Sequence, residues 1–344
     1  MLIFHPPMRA RPRRAPFGKS GRARALAILL GLALLLIARP AQAALTCTIA
    51  PAPGNYGNVD VLPGTGANVN ATVSVNCSGG TPGQIAVLCI EFGQGAPDSS
   101  NSVRYMGNGG NTLVHDLYTS SSYSTTWGSW GYGTPAYGSG GVAQDPTIDG
   151  SGNAAASLTV YGQVSGGQPT AVPGGYTWTN NTPALTYAQA AVGSSCATKP
   201  AGSATVTAGA SNWTATVISN CYLGTSPVSF GTVGVLSGNV DSTTVQAIGA
   251  HCSNGTPYAI SFDAGQGPGA TIAARVMTNG ALGVVYSLYQ DAARSTLWGN
   301  TAGSIVSSTG NGNYQFYTVY GRVPPQTTPA PGAYSDTITV TITF

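Results

Sequence analysis

Charged residues are scarce in this chain of 344 residues, and most of its cations sit at one end. Eight of the 13 Lys and Arg precede residue 44, so beyond that point five cations face all ten acidic side chains, a net charge of −5. One lysine (Lys199), one glutamate (Glu91) and two histidines (His115 and His251) remain there. That balance excludes a basic surface for nucleic acid. It also leaves little for catalysis. No G-x-S-x-G elbow, H-E-x-x-H helix or C-x-x-C pair is present. His115 beside Asp116 could orient a base, but no nucleophile motif accompanies it, and His251 sits beside Cys252 at an expected strand end. The sequence therefore argues against an enzyme, and no cofactor is expected. Asp145, Asp149 and Asn153, with Gly150 and Gly152, hint at a calcium loop. The distal bidentate glutamate is missing and a plain turn fits as well, so no metal is expected.

Most of the cations belong to an expected N-terminal leader. Arg9, Arg11, Arg13, Arg14, Lys19, Arg22 and Arg24 precede an apolar run from Ala25 to Ala38, and Ala41-Gln42-Ala43 follows as a small-x-small site. This reads as a secretory signal over residues 1–43, cleaved after Ala43 or, alternatively, Ala44. The run is short for a spanning helix, so no membrane span is expected after cleavage. Export through the periplasm to the cell surface is the expected route.

Lys, Glu and Arg are the residues that build exposed helix faces, and their shortage disfavours helices. What is abundant is Gly, Ser, Thr, Asn, Val and Tyr, in short alternating runs between Gly, Pro and Asn clusters. That pattern predicts an all-β chain. The clearest run is 335–344, in which Ile338, Val340, Ile342 and Phe344 would point one way and the threonines the other.

The chain also repeats itself. Asn76-Cys77-Ser78-Gly79-Gly80-Thr81-Pro82 is answered by His251-Cys252-Ser253-Asn254-Gly255-Thr256-Pro257. Arg104-Tyr105-Met106 answers Arg275-Val276-Met277, and Trp127-Gly128 answers Trp298-Gly299. Val160-Tyr161-Gly162 answers Val319-Tyr320-Gly321, and Pro173-Gly174-Gly175-Tyr176 answers Pro331-Gly332-Ala333-Tyr334. Such order implies two homologous domains in tandem. Expected bounds are 44–196 for the first, a linker over 197–203, and 204–344 for the second. The repeat makes Cys47–Cys77 and Cys221–Cys252 the natural disulfides in an exported chain. Cys89 and Cys196 are left to close the first domain on itself, although sequence alone permits other pairings.

These motifs resemble the spore coat protein U domain family, which includes the subunits of archaic, Csu-type chaperone–usher pili. The second repeat carries the resemblance best, through Ser229-Phe230-Gly231, the Cys252 motif, Leu288-Tyr289, Trp298-Gly299, Val319–Val323 and Gly332–Thr337. The first keeps Tyr56-Gly57, Leu117-Tyr118 and Tyr161-Gly162 but departs after Tyr176, where Thr177–Pro183 replaces the alternating strand. Two such domains behind one leader look like a tip adhesin. The resemblance implies immunoglobulin-like β-sandwiches, the C-terminal one an incomplete pilin-type sandwich lacking a strand. A periplasmic chaperone and then an adjacent pilin subunit would fill the gap by β-augmentation, with an outer-membrane usher as the assembly partner.

Ile338, Val340, Ile342 and Phe344 are the expected strand-accepting edge. An ordinary edge strand in a complete sandwich would look the same. After cleavage only Ala44-Leu45-Thr46 precede Cys47, whereas a donated strand needs ~10 residues at about 3.3 Å each. The chain is thus expected to accept a strand and not to give one, which suits a fibre end. Trp130, Tyr132 and Tyr137 lie among Gly and Ser with no counterpart in the second repeat, and are the expected adhesive surface. Trp178, with Tyr176 and Tyr187, is a weaker second candidate, although Tyr176 matches Tyr334 and so belongs to the core. Two alternatives compete: a spore-coat or matrix component without strand exchange, and a carbohydrate-binding module.

Overall fold

A computed structural model of the protein describes residues 44–62, 64, 66–93, 103–129, 141–179 and 181–344. Residues 1–43, expected to be the leader, and the aromatic residues Trp130, Tyr132 and Tyr137 lie outside them. The described residues form strands and connecting turns, with no helix long and apolar enough to cross a membrane.

Ten strands come from the first repeat. They are β1 (Thr46–Ile49), β2 (Gly54–Val59), β3 (Ala67–Ser78), β4 (Ile85–Glu91), β5 (Arg104–Asn108), β6 (Asn111–Tyr118), β7 (Val142–Gln144), β8 (Ala154–Val164), β9 (Gly174–Trp178) and β10 (Ala184–Ala190). Next along the chain are β11 (Ala204–Thr207) and β12 (Trp213–Val217). The second repeat supplies β13 (Cys221–Thr225), β14 (Val240–Cys252), β15 (Pro257–Phe262), β16 (Arg275–Asn279), β17 (Leu282–Tyr289), β18 (Val306–Thr309), β19 (Tyr314–Val323) and β20 (Val340–Thr343).

Each half is an immunoglobulin-like sandwich with its own core. In the N-terminal half the order β1-β3-β8-β6-β5-β9-β12-β2 faces β11-β10-β4-β7. In the C-terminal half β13-β14-β19-β17-β16 faces β18-β15-β20. Period-two burial drives the pairing: Val73 and Val75 of β3 are buried while Thr72, Ser74 and Asn76 turn away.

The repeat is a repeat of contacts. The Trp127 indole donates to the Ile90 carbonyl (2.9 Å), and Trp298 donates to that of Ile260 (3.1 Å). Buried Arg104 donates to the Trp127 carbonyl, and buried Arg275 to that of Trp298, at 2.7 Å in each case. Tyr176 and Tyr334 each donate to the carbonyl four residues back, Val172 and Ala330. Disulfides join Cys47 to Cys77, Cys221 to Cys252, and Cys89 to Cys196. The first two are cross-strand pairs at matching register.

Two observations depart from the sequence reading. Thr177–Pro183 does not replace the last strand of the first repeat. The strand follows as β10, with Leu185 opposite Ile90 just as Ile342 stands opposite Ile260. Residues 204–217, expected with the second repeat, pair with the first instead. β11 lies antiparallel on β10, and β12 inserts between β9 and β2, antiparallel to the one and parallel to the other. Burial explains this placement, because Trp213, Ala215 and Val217 turn into the N-terminal core while Thr214 and Thr216 do not. The change of partners therefore falls in Ile218–Asn220.

Trp213 is fully buried, in van der Waals reach of Gly54 and Gly162 and with its ring 5.7 Å from that of Tyr56. Trp213→Ala is expected to destabilise the N-terminal half by about 3–5 kcal/mol. Chemical denaturation followed by near-ultraviolet circular dichroism checks this.

Candidate functional site

The main difference in topology between the two halves, among the described residues, is a strand. Along the N-terminal half, β11 and β12 run as an added strand, closing the space between the last strand of the repeat (β9–β10) and β2. At the corresponding place in the C-terminal half is a groove of about 550 Å³. One wall is Thr225–Val228 with Phe230; the other is Tyr334–Ile338 with Val340; Ile248, Met277, Leu288 and Val319 form the floor. Among the described residues β20 pairs with β15 alone and is the edge of its sheet.

Matching geometry fixes which residues correspond. Gly57 and Gly231 both have positive φ, 67° and 71°, and their amides accept the same kind of support, donating to Asn55 Oδ1 and Ser229 Oγ. The rings just before them, Tyr56 and Phe230, meet His115 and Tyr286 edge-on, at 6.1 and 5.8 Å. His115 and Tyr286 stand opposite Arg104 and Arg275 in register. So Phe230 answers Tyr56, Val228 answers Gly54, and Asp336 answers Trp178, which follows Tyr176 by two residues as Asp336 follows Tyr334.

Ile338 and Val340 line the groove. Ile342 packs on the core opposite Ile260, and Phe344 is half exposed, outside the groove lining. The strand is shorter than the alternating run suggests. Residues 333–339 have no strand partner on the groove side and are held from behind by two backbone hydrogen bonds between Thr278 and Ser335 and by the Asp263 carboxylate, which accepts from the Thr339 amide.

The floor of the groove is apolar, while its walls also carry Thr225, Ser226, Ser335, Thr337 and the Asp336 carboxylate. That carboxylate accepts from the amides of Gln266 (2.9 Å) and Thr337 (2.8 Å) and from the Tyr286 hydroxyl (2.8 Å). Burial pushes the Tyr286 phenol far up, and the Asp336 carboxylate it donates to raises it further. Beneath the groove the Tyr258 phenol, hydrogen-bonded to that of Tyr317, is pushed up to about 12, first by burial and then by that bond.

Trp178 is a correction. Its ring is fully buried in the N-terminal core, 4.8 Å from the His115 ring and beneath the Arg104 guanidinium, so it presents no surface. It lies in the core because β9 pairs with β12 and buries every second residue. Tyr176 is likewise core. The carboxylate of Asp116 is engaged by Arg104 and by the Leu117 amide, so it does not orient His115. Asp149 accepts from the amides of Ser151 and Asn153, which is turn geometry, and Asp145 accepts a long-range bond from the Ser194 amide. Among the described residues no three His, Cys, Asp or Glu side chains cluster as metal ligands.

An aromatic row went unread in the sequence. Tyr222, His251 and Tyr314 stand side by side on the outer face of β13, β14 and β19, with Phe316 stacked 5.8 Å from Tyr314. Their counterparts in the first repeat are Thr48, Asn76, Ala155 and Ser157. Alternation in β19 was the available signal.

The model of the Spore Coat Protein U domain matches residues 32–181 and again 204–341. The chain belongs to the Spore Coat Protein U domain family. Protein U of Myxococcus xanthus is 42% identical over 59 residues, 17% of this chain and 33% of that protein, so the match spans a third of the relative's length. The fold is similar to the complex of CsuC with CsuE, the chaperone–tip adhesion subunit pre-assembly complex of Acinetobacter baumannii Csu pili, at 18% identity and a TM-score of 0.48, covering 87% of this chain and all of that one. It is also similar to the CupB6 tip adhesin of Pseudomonas aeruginosa, at 12% identity and a TM-score of 0.34, covering 87% and 94%. The Spore Coat Protein U domain thus occurs twice here; in the structure the first copy is closed by β11 and β12, which begin the second matched segment, and the second copy has an open groove.

Inside the closed copy, His115 is fully buried with its Nδ1 3.4 Å from the Tyr56 hydroxyl. Burial, reinforced by the Arg104 charge, holds it well below the ordinary value of 6.5. The unfolded chain therefore takes up a proton that the folded one refuses. Stability of the N-terminal half should fall as pH drops below about 6.5, by up to ~1.4 kcal/mol per pH unit between pH 6.5 and 5. Melting measured across that range should show this slope, and His115→Gln should flatten it.

Proposed function

We propose that this protein is an exported adhesion subunit of a surface fibre, whose C-terminal half accepts a β-strand from another polypeptide. The observation that carries this reading is the groove beside β20, open where the N-terminal half holds β11 and β12. An apolar cleft along an unpaired strand edge is what β-augmentation requires: the edge supplies backbone hydrogen bonds and the cleft takes alternate side chains. Each apolar side chain fully buried there would contribute roughly 1.5–3 kcal/mol.

The occupants we propose are a periplasmic chaperone before assembly and the adjacent pilin subunit afterwards, delivered through an outer-membrane usher. The leader 1–43 and three disulfides accord with export into an oxidising compartment. The N-terminal half needs no strand from outside and is free to serve as the adhesive domain at the fibre tip. Its contacts are assigned to Trp130, Tyr132 and Tyr137, whose neighbours of Gly and Ser suit rings offered to an apolar surface.

Two measurements test the two halves separately. Ile338→Lys with Val340→Lys places two cations beside the apolar floor of the groove, and should abolish co-purification with a co-expressed periplasmic chaperone. The near-ultraviolet signal of the N-terminal half should persist. A doubly substituted chain that still co-purifies at the wild-type ratio would remove the groove from the assembly. Replacing Trp130, Tyr132 and Tyr137 with Ser should leave melting unchanged while attachment to hydrophobic plastic falls at least ~10-fold. Early melting would mean that those rings serve the core.

A further inference from the structure

The N-terminal half holds an occupied copy of the groove, so it reports what an occupying strand must look like. β12 presents Trp213, Ala215 and Val217 inward, opposite Trp178, Tyr176 and Gly174 of β9. On its other side Trp213 stands opposite Gly54. A Cβ on Gly54 would lie 2.4 Å from the Trp213 ring, and one on Gly162 would lie 2.1 Å from it. The indole is accommodated because both neighbours are glycine and because the residue opposite it in register, Trp178, brings no charge.

The C-terminal groove keeps one of those three conditions. Gly321 answers Gly162, but a Cβ there would meet the Phe230 ring at 2.8 Å, so Phe230 already covers it. Val228 stands where Gly54 does, and its branched side chain lines the groove in the space the indole uses. Asp336 stands where Trp178 does, with its carboxylate held by Tyr286, Gln266 and Thr337. A carboxylate beside the negative face of an aromatic ring is unfavourable. The second position keeps its partner, since Tyr334 answers Tyr176, and the third stands opposite Gly332 as Val217 stands opposite Gly174.

We infer that the strand accepted by the C-terminal groove carries a small side chain where β12 carries Trp213, followed at alternate positions by an alanine-sized and an aliphatic residue. Val228 and Asp336 are the residues that set this choice. The inference rests on the groove being a strand acceptor, and goes further by stating which strands it admits. It also explains why the two grooves of one chain do not compete for one strand: β12 suits the first and is too large for the second.

The test uses the full chain lacking residues 1–43 and two labelled peptides. One copies residues 204–217, and the other is the same peptide with Trp213→Ala. Fluorescence anisotropy should show the alanine peptide binding and the tryptophan peptide about tenfold to hundredfold weaker, the cost of overpacking a fitted site. Ile338→Lys should remove binding of the alanine peptide, which locates it in the C-terminal groove. Val228→Gly, or the milder Val228→Ala, should recover binding of the tryptophan peptide. Equal binding of the two peptides to the wild-type chain would overturn the size rule and leave the groove as an acceptor. Binding of neither would overturn both. A tryptophan peptide that gains nothing from either Val228 variant would remove Val228 from its assigned role.

Discussion

A sandwich of this topology cannot close its core without a strand between its first and last strands. Everything else in the molecule follows from how each half meets that requirement. The last strand of each half crosses from one sheet to the other, as β9 into β10 and as residues 331–339 into β20. That crossing leaves an edge along both sheets and a slot into the core beneath. Left bare, the slot exposes apolar side chains and unpaired backbone groups together, which is costly and invites association. The N-terminal half fills it from its own chain, and the C-terminal half does not.

Because charge is so scarce, the few cations that remain do specific structural work. Arg104 and Arg275 are fully buried, and each ties the crossover near its tryptophan to the core by donating to backbone carbonyls. A buried guanidinium is tolerable only when its donors are met, and these carbonyls, with Asp116 in the first case, meet them. Desolvation lowers the Arg275 guanidinium even so, with Tyr286 and nearby carboxylates pulling the other way. The same frame can then carry different walls. His115 and Trp178 make an apolar pocket beside Arg104, whereas Tyr286 and Asp336 make a polar one beside Arg275.

The two halves are also joined to each other. Asp60 accepts from the Tyr222 hydroxyl and the Asn220 amide group, and Asn254 donates to the Thr170 carbonyl. Gly312 lies against Pro169 so closely that a Cβ there would overlap it. Only Ile218–Asn220 separates β12 from β13, so the strand that completes one half leads directly into the first strand of the other. That continuity couples closure of the first sandwich to the start of the second.

Much of this was written in one dimension. The β class followed from alternation and from the shortage of helix-building residues, and the tandem architecture from repeated motifs around Cys77 and Cys252, Trp127 and Trp298, and Tyr176 and Tyr334. Alternation also marked Ile338 and Val340, because period two is a local property that burial on one face imposes. It could not say what lies beside that face. Trp178 looked like a loop aromatic because only pairing with β12 turns it inward, and β12 comes 35 residues later. Residues 204–217 begin the second family match yet pair with the first half, because similarity follows chain order, while strand pairing follows which open edge lies within reach. The closed and open grooves were decided there, by long-range contacts that no local pattern encodes.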